Sequence, residues 1–95
     1  SVTVAAEWQG MSLTITIGFN DDGEAKEVFA DAPGSLGVTV SDAATIISIA
    51  LQHNISPADL GKSLGRVPAW INGEQVEAPA SPVGTIVACL VECAL

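Results

Sequence analysis

From Leu13 to Gly65 the chain changes its hydrophobic period in a way that admits few folds. Leu13, Ile15, Ile17 and Phe19 alternate with Ser12, Thr14, Thr16 and Gly18, a period of two that predicts a strand with one apolar face. Upstream, Val2, Val4, Ala6 and Trp8 alternate in the same way with Thr3, Ala5, Glu7 and Gln9, and Gly10 separates the two segments. Asn20-Asp21-Asp22-Gly23 supplies turn chemistry for a third strand from about Ala25 to Ala30, whose Val28 belongs on the shared buried face. The result is an antiparallel meander.

Pro33-Gly34-Ser35-Leu36-Gly37 then breaks the pattern, and the period becomes helical. Ser41 is the expected cap, with Asp42 in the first turn against the positive helix end, and the helix is expected to run to about His53. Ala43, Ala44, Ile46, Ile47, Ile49, Ala50 and Leu51 surround most of its circumference, so it must be covered on more than one side. Asn54 suits a left-handed terminating position, and Ser56-Pro57 opens a short helix expected to end near Gly65. Val67 to Glu77 reads as irregular, with Asn72-Gly73 marking a small hairpin between Trp70-Ile71 and Gln75-Val76. Ser81-Pro82 begins a final helix carrying Val83, Ile86, Val87, Leu90, Val91 and Ala94, in which Glu92 is the only charge. The predicted class is α+β: a three-stranded antiparallel meander packed against two or three helices in a single pair of layers, one domain over residues 1–95.

With 48% hydrophobic residues, a chain of this length buries roughly 65% of its unfolded surface and folds without a disulfide or metal staple. Lys26, Lys62 and Arg66 stand against eleven acidic residues, so the long-range field repels phosphate backbones and anionic lipid. No nucleic acid and no membrane partner is expected. The apolar run from Val83 to Val91 is well short of the ~20 residues a bilayer crossing needs. The chain begins at Ser1 without a basic segment followed by an apolar one, as a trimmed or tag-cleaved chain would, and the sequence leaves open whether a leader preceded it. Cys89 and Cys93 are four apart in a helical pattern, where Cβ atoms lie ~5 to 6 Å apart, too far for a disulfide. Free thiols favour the cytoplasm.

The residues Thr14-Ile15-Thr16-Ile17-Gly18-Phe19, Asp22-Gly23, Glu27-Val28-Phe29-Ala30 and Ile47-Ser48-Ile49-Ala50-Leu51-Gln52-His53-Asn54 resemble the TSCPD domain. That domain occurs at the C-terminus of vitamin B12-dependent ribonucleotide reductases and as small standalone bacterial and phage proteins of unassigned function. The resemblance covers roughly residues 12–65 and implies an accessory module. The Thr-Ser-Cys-Pro-Asp run that names the family is absent here, so a metal or thiol role tied to it does not carry over. Asn54 stands where such proteins usually have Gly, and Asn tolerates the same left-handed conformation.

No motif names an activity. Cys89, Cys93 and His53 suit a soft metal in type, yet a zinc site wants a fourth ligand and an outer shell, so packing roles are preferred and no metal or cofactor is expected. Asn20, Asp22 and Glu24 lack calcium-loop spacing and read as a solvated turn. Gly34, Gly37, Gly61 and Gly65 read as breakers rather than a phosphate loop. His53, the sole histidine, has Ser48, Ser56 and Asp59 as conceivable catalytic neighbours, and a hydrolytic or metal-dependent enzyme using it ranks last among the readings. Trp70 is either an exposed interface anchor or a lid over the core.

The strongest inference about behaviour comes from the two nearly all-apolar helices. Covering one sheet face with one helix would leave the outer sides of Ile46 to Leu51 and Ile86 to Val91 bare, which predicts a homodimer with the central or final helix at its interface. The leading expectation is a non-enzymatic protein-interaction module with Gln52, His53 and Trp70 as partner-binding residues. The alternative is an accessory or regulatory factor linked to ribonucleotide reduction, binding a nucleotide or the reductase.

Overall fold

In the computed structural model, which describes residues 1–93, three strands and two helices enclose one core. Ala94, assigned to the final helix on its sequence, lies outside the described residues. β1 (Val2–Trp8), β2 (Met11–Phe19) and β3 (Ala25–Asp31) form an antiparallel sheet in the order β1-β2-β3. The expected meander is present. Its first turn is the two-residue Gln9-Gly10, both at positive φ (48° and 78°), the handedness that matches strand twist. In the second turn the Asn20 side-chain oxygen accepts from the amides of Asp22 and Glu24 at 3.0 and 2.9 Å. Its acceptor is thereby directed at backbone, as in a hydrated turn.

Leu13, Ile15 and Ile17 are fully buried and pair across to Ala6, Val4 and Val2 on β1. On β3 the buried residues are Ala25, Val28 and Ala30, a spacing that breaks strict alternation. A bulge explains it: Gly18 pairs with Glu27 but Phe19 pairs with Ala25, leaving Lys26 as the extra residue.

α1 (Leu36–Gln52) lies along β3, and α3 (Pro82–Cys93) crosses β1 and β2 on the same sheet face. Val40, Ala44, Ile47 and Leu51 from α1 meet Ile86, Val87 and Leu90 from α3 over the sheet. The start of α1 differs from expectation by more than a turn. Ser41 does not cap and Asp42 is not in the first turn; the helix opens at Leu36 after Ser35, which makes no side-chain capping bond. Gly37 is the reason. A Cβ there would sit 2.8 Å from the Ala32 carbonyl oxygen, so this glycine permits the helix to begin against the end of β3 instead of breaking the chain.

α2 (Pro57–Gly61) is shorter than expected, ending at Gly61 rather than near Gly65, and is capped by Ser56 Oγ accepting from the Asp59 amide at 3.1 Å. The segment read as irregular is a regular hairpin, β4 (Arg66–Ile71) with β5 (Glu74–Pro79), turning at Asn72-Gly73 with φ of 51° and 80°. Ser81 Oγ accepts from the Gly84 amide at 3.1 Å and starts α3 as expected.

Ser48 joins α1 to the open edge of β3. Its Oγ accepts from the Val28 amide at 2.9 Å, and its single proton has the Ala44 and Val28 carbonyl oxygens in reach at 2.8 and 3.0 Å. Replacing Ser48 by Ala removes these bonds and leaves the Val28 amide unpaired, a cost of about 1–3 kcal/mol that exceeds the few tenths gained in helix propensity. For Gly37→Ala, overlap with backbone outweighs the ~1 kcal/mol helical advantage of alanine, and a net loss of about 1–2 kcal/mol is expected. Thermal denaturation followed by circular dichroism checks both, each kcal/mol lowering Tm by roughly 4–8 °C in a domain of this size.

Candidate functional site

The bulge at Lys26 shapes the C-terminal end of α1. It directs the ammonium group onto the helix end, where Nζ donates to the Leu51 carbonyl at 3.1 Å and to Asn54 Oδ1 at 2.9 Å. Asn54 has a φ of 66°, the left-handed terminating conformation expected of it. Gln52 reaches back along the same edge, its Nε2 lying 3.4 Å from the Lys26 carbonyl oxygen. His53 is the C-cap residue; its amide donates to the Ile49 and Ala50 carbonyls at 3.1 Å, and its side chain is exposed.

The neighbours that would make His53 catalytic are engaged elsewhere. Ser48 holds β3, Ser56 caps α2, and Asp59 pairs with Lys62 at 3.3 Å. His53 makes no side-chain hydrogen bond among the described residues. No group of three His, Cys, Asp or Glu among the described residues is placed to hold a metal.

Trp70 is 70% exposed near the tip of the β4–β5 hairpin, paired across to Gln75, with Ile71 and Val67 also exposed. It does not cover the core. The hairpin packs on α3, and neither of the hollows described below is lined by both Trp70 and the Gln52–His53 pair.

The helices also differ from each other in a way the sequence did not distinguish. α3 is enclosed by the sheet, α1, α2 and β5; Ile86, Val87 and Leu90 are buried, and Val91 and Cys89 are half-buried. The expectation of a bare outer side from Ile86 to Val91 is therefore corrected. On α1 it holds: Val38, Ile46 and Ile49 are 71%, 68% and 53% exposed. Between α1 and β3 runs a shallow groove of about 290 Å³, lined by Phe29, Ala30, Ser41, Thr45, Ser48 and Ile49. A second hollow of about 300 Å³ lies between the hairpin base and α3, with Arg66, Glu77 and Glu92 around an apolar floor of Leu64, Pro79 and Val87. Val38 fell outside the expected helix, and nothing in the sequence pattern marked Lys26 as its C-terminal clamp.

The family model of the TSCPD domain matches residues 2–92. The chain belongs to the TSCPD domain family. The match is wider than the 12–65 segment that carries the sequence resemblance, and it takes in β1, the hairpin and nearly all of α3. No curated protein and no solved structure matches the chain. Within this TSCPD domain no described helix is long and apolar enough to cross a membrane.

Cys89 and Cys93 are free thiols, each half-buried. Burial pushes the Cys89 thiol up, and the nearby Glu92 carboxylate and Cys93 add to the shift by disfavouring a second negative charge. A raised pKa means less thiolate at neutral pH, and the thiolate is the nucleophile. Iodoacetamide labelling of the folded Cys93→Ser variant at pH 7.5 is expected to be at least about fivefold slower than after denaturation, with the rate rising only above the ordinary thiol range. Mass spectrometry over time measures it.

Proposed function

We propose that this TSCPD domain is a small protein-interaction module that acts as a homodimer and carries no catalytic centre or cofactor of its own. The observation supporting this is the row of large apolar side chains left outside the core: Val38, Ile46 and Ile49 on α1, with Trp70 and Ile71 on the hairpin. Groups of this size in water mark surfaces that other proteins cover, and an exposed tryptophan is a common energetic anchor. Gln52 and His53 border the α1 surface and Trp70 provides a second contact point. The net charge of −8 favours protein over nucleic acid or membrane as partner, and the free thiols suit a reducing cytoplasm.

Family membership supports a second reading, an accessory role in ribonucleotide reduction through contact with the reductase or a nucleotide. The two readings separate by experiment. Light scattering at about 100 µM is expected to give twice the chain mass, and a monomeric mass overturns the dimer. Trp70→Ala is expected to leave the dimer intact while weakening capture of a partner by about 2 kcal/mol, roughly thirtyfold in affinity. Capture of a reductase by immobilised domain, or a nucleotide-dependent rise in Tm, would favour the second reading.

A further inference from the structure

Asp42, Ile46, Ile49 and His53 follow one another at spacings of four, three and four along α1. At ~100° per residue they fall within an arc of about 60°, a single stripe down one side of the helix. All four side chains are exposed, and among the described residues neither Asp42 nor His53 has a side-chain hydrogen bond or ion pair. The stripe has an internal symmetry of character. The point midway between Ile46 and Ile49 is also midway between Asp42 and His53, so two apolar groups lie at the centre, an acid at one end and an imidazole at the other.

We infer that a second copy of this chain covers the stripe, with the two α1 helices antiparallel about a two-fold axis that crosses the helix between Ile47 and Ser48. This inference rests on the homodimer reading above and specifies its register. The axis sets Ile46 of each copy against Ile49 of the other and Asp42 of each copy against His53 of the other. Both complementary contacts are then made at once, twice over. A parallel pairing would instead place acid against acid and imidazole against imidazole.

The alternative of joining copies through the β3 edge is disfavoured by chemistry already described. Ser48 occupies the outward amide of Val28, and Gln52 lies against the outward carbonyl of Lys26, so an incoming strand would find these ladder positions taken. Helix packing needs neither group. In this register the two α1 helices overlap from Asp42 to His53, about 17 Å of helix, so the seam is small and a micromolar dissociation constant is expected.

The experiment compares four forms of the full chain: unchanged, Asp42→Lys, His53→Asp and the double variant. Light scattering from about 5 to 500 µM spans the expected affinity, and circular dichroism verifies that each exposed substitution leaves the fold intact. Each single change removes both acid–imidazole contacts and is expected to weaken the dimer at least about tenfold. The double variant sets a lysine against an aspartate at each end of the seam and is expected to return to within about threefold of the unchanged chain. A dimer indifferent to the single changes, or a double variant weaker than both singles, overturns the register and leaves the dimer standing. A monomer at all concentrations for the unchanged chain overturns both.

Discussion

The Ser48 hydroxyl, set against the outward-facing amide and carbonyl of Val28, is the contact on which the arrangement of layers depends. A three-stranded sheet has two edges, and an unpaired edge is both unsatisfied and prone to recruit other strands. Here β3 carries α1 alongside it, and the helix supplies polar atoms at the positions where a fourth strand would supply them. Gln52 one turn further on lies against the Lys26 carbonyl, and Lys26 in return holds the end of the helix. The bulge is integral to this exchange, because the extra residue re-aims the lysine while Ala25 and Val28 stay inside.

This placement decides where the excess apolar surface goes. With α1 drawn toward the β3 edge, room remains over β1 and β2 for α3, which then acquires α2 and the hairpin on its outer side. The last helix becomes an interior element despite its short length. The first helix keeps one side on the core through Val40, Ala44, Ile47 and Leu51 and leaves the other in water. The asymmetry leaves Val38, Ile46 and Ile49 exposed along α1 and Trp70 and Ile71 exposed on the hairpin, in addition to Val2, Phe29 and Ile55 elsewhere on the surface.

Much of the scaffold was legible residue by residue. Alternation from Leu13 to Phe19 specified the strand, Ser56 and Ser81 followed by proline specified two helix starts, and Asn54 specified a helix end. The start of α1 was not legible, because glycine looks the same in sequence whether it interrupts a helix or allows one to touch a neighbouring strand. Val38 and the second-turn position of Asp42 were lost with it. For the site, Gln52, His53 and Trp70 read in the sequence as exposed polar or aromatic groups, and all three are exposed, but neither hollow brings them together. Ser48 lies close to His53 in the chain, but its role at the β3 edge is invisible there because the Val28 main-chain atoms it binds are twenty residues away.

The sequence by itself determined the period of each segment, the turn and cap chemistry, the acidic field and membership of the TSCPD family, since these depend on residues close together in the chain or on their sum. Tertiary structure alone decided which apolar helix would be enclosed and which would keep a bare stripe. Two helices of nearly equal hydrophobicity compete for one sheet face, and the outcome turns on contacts between distant segments: a serine reaching an edge strand, a glycine admitting close approach, and a hairpin folding over α3.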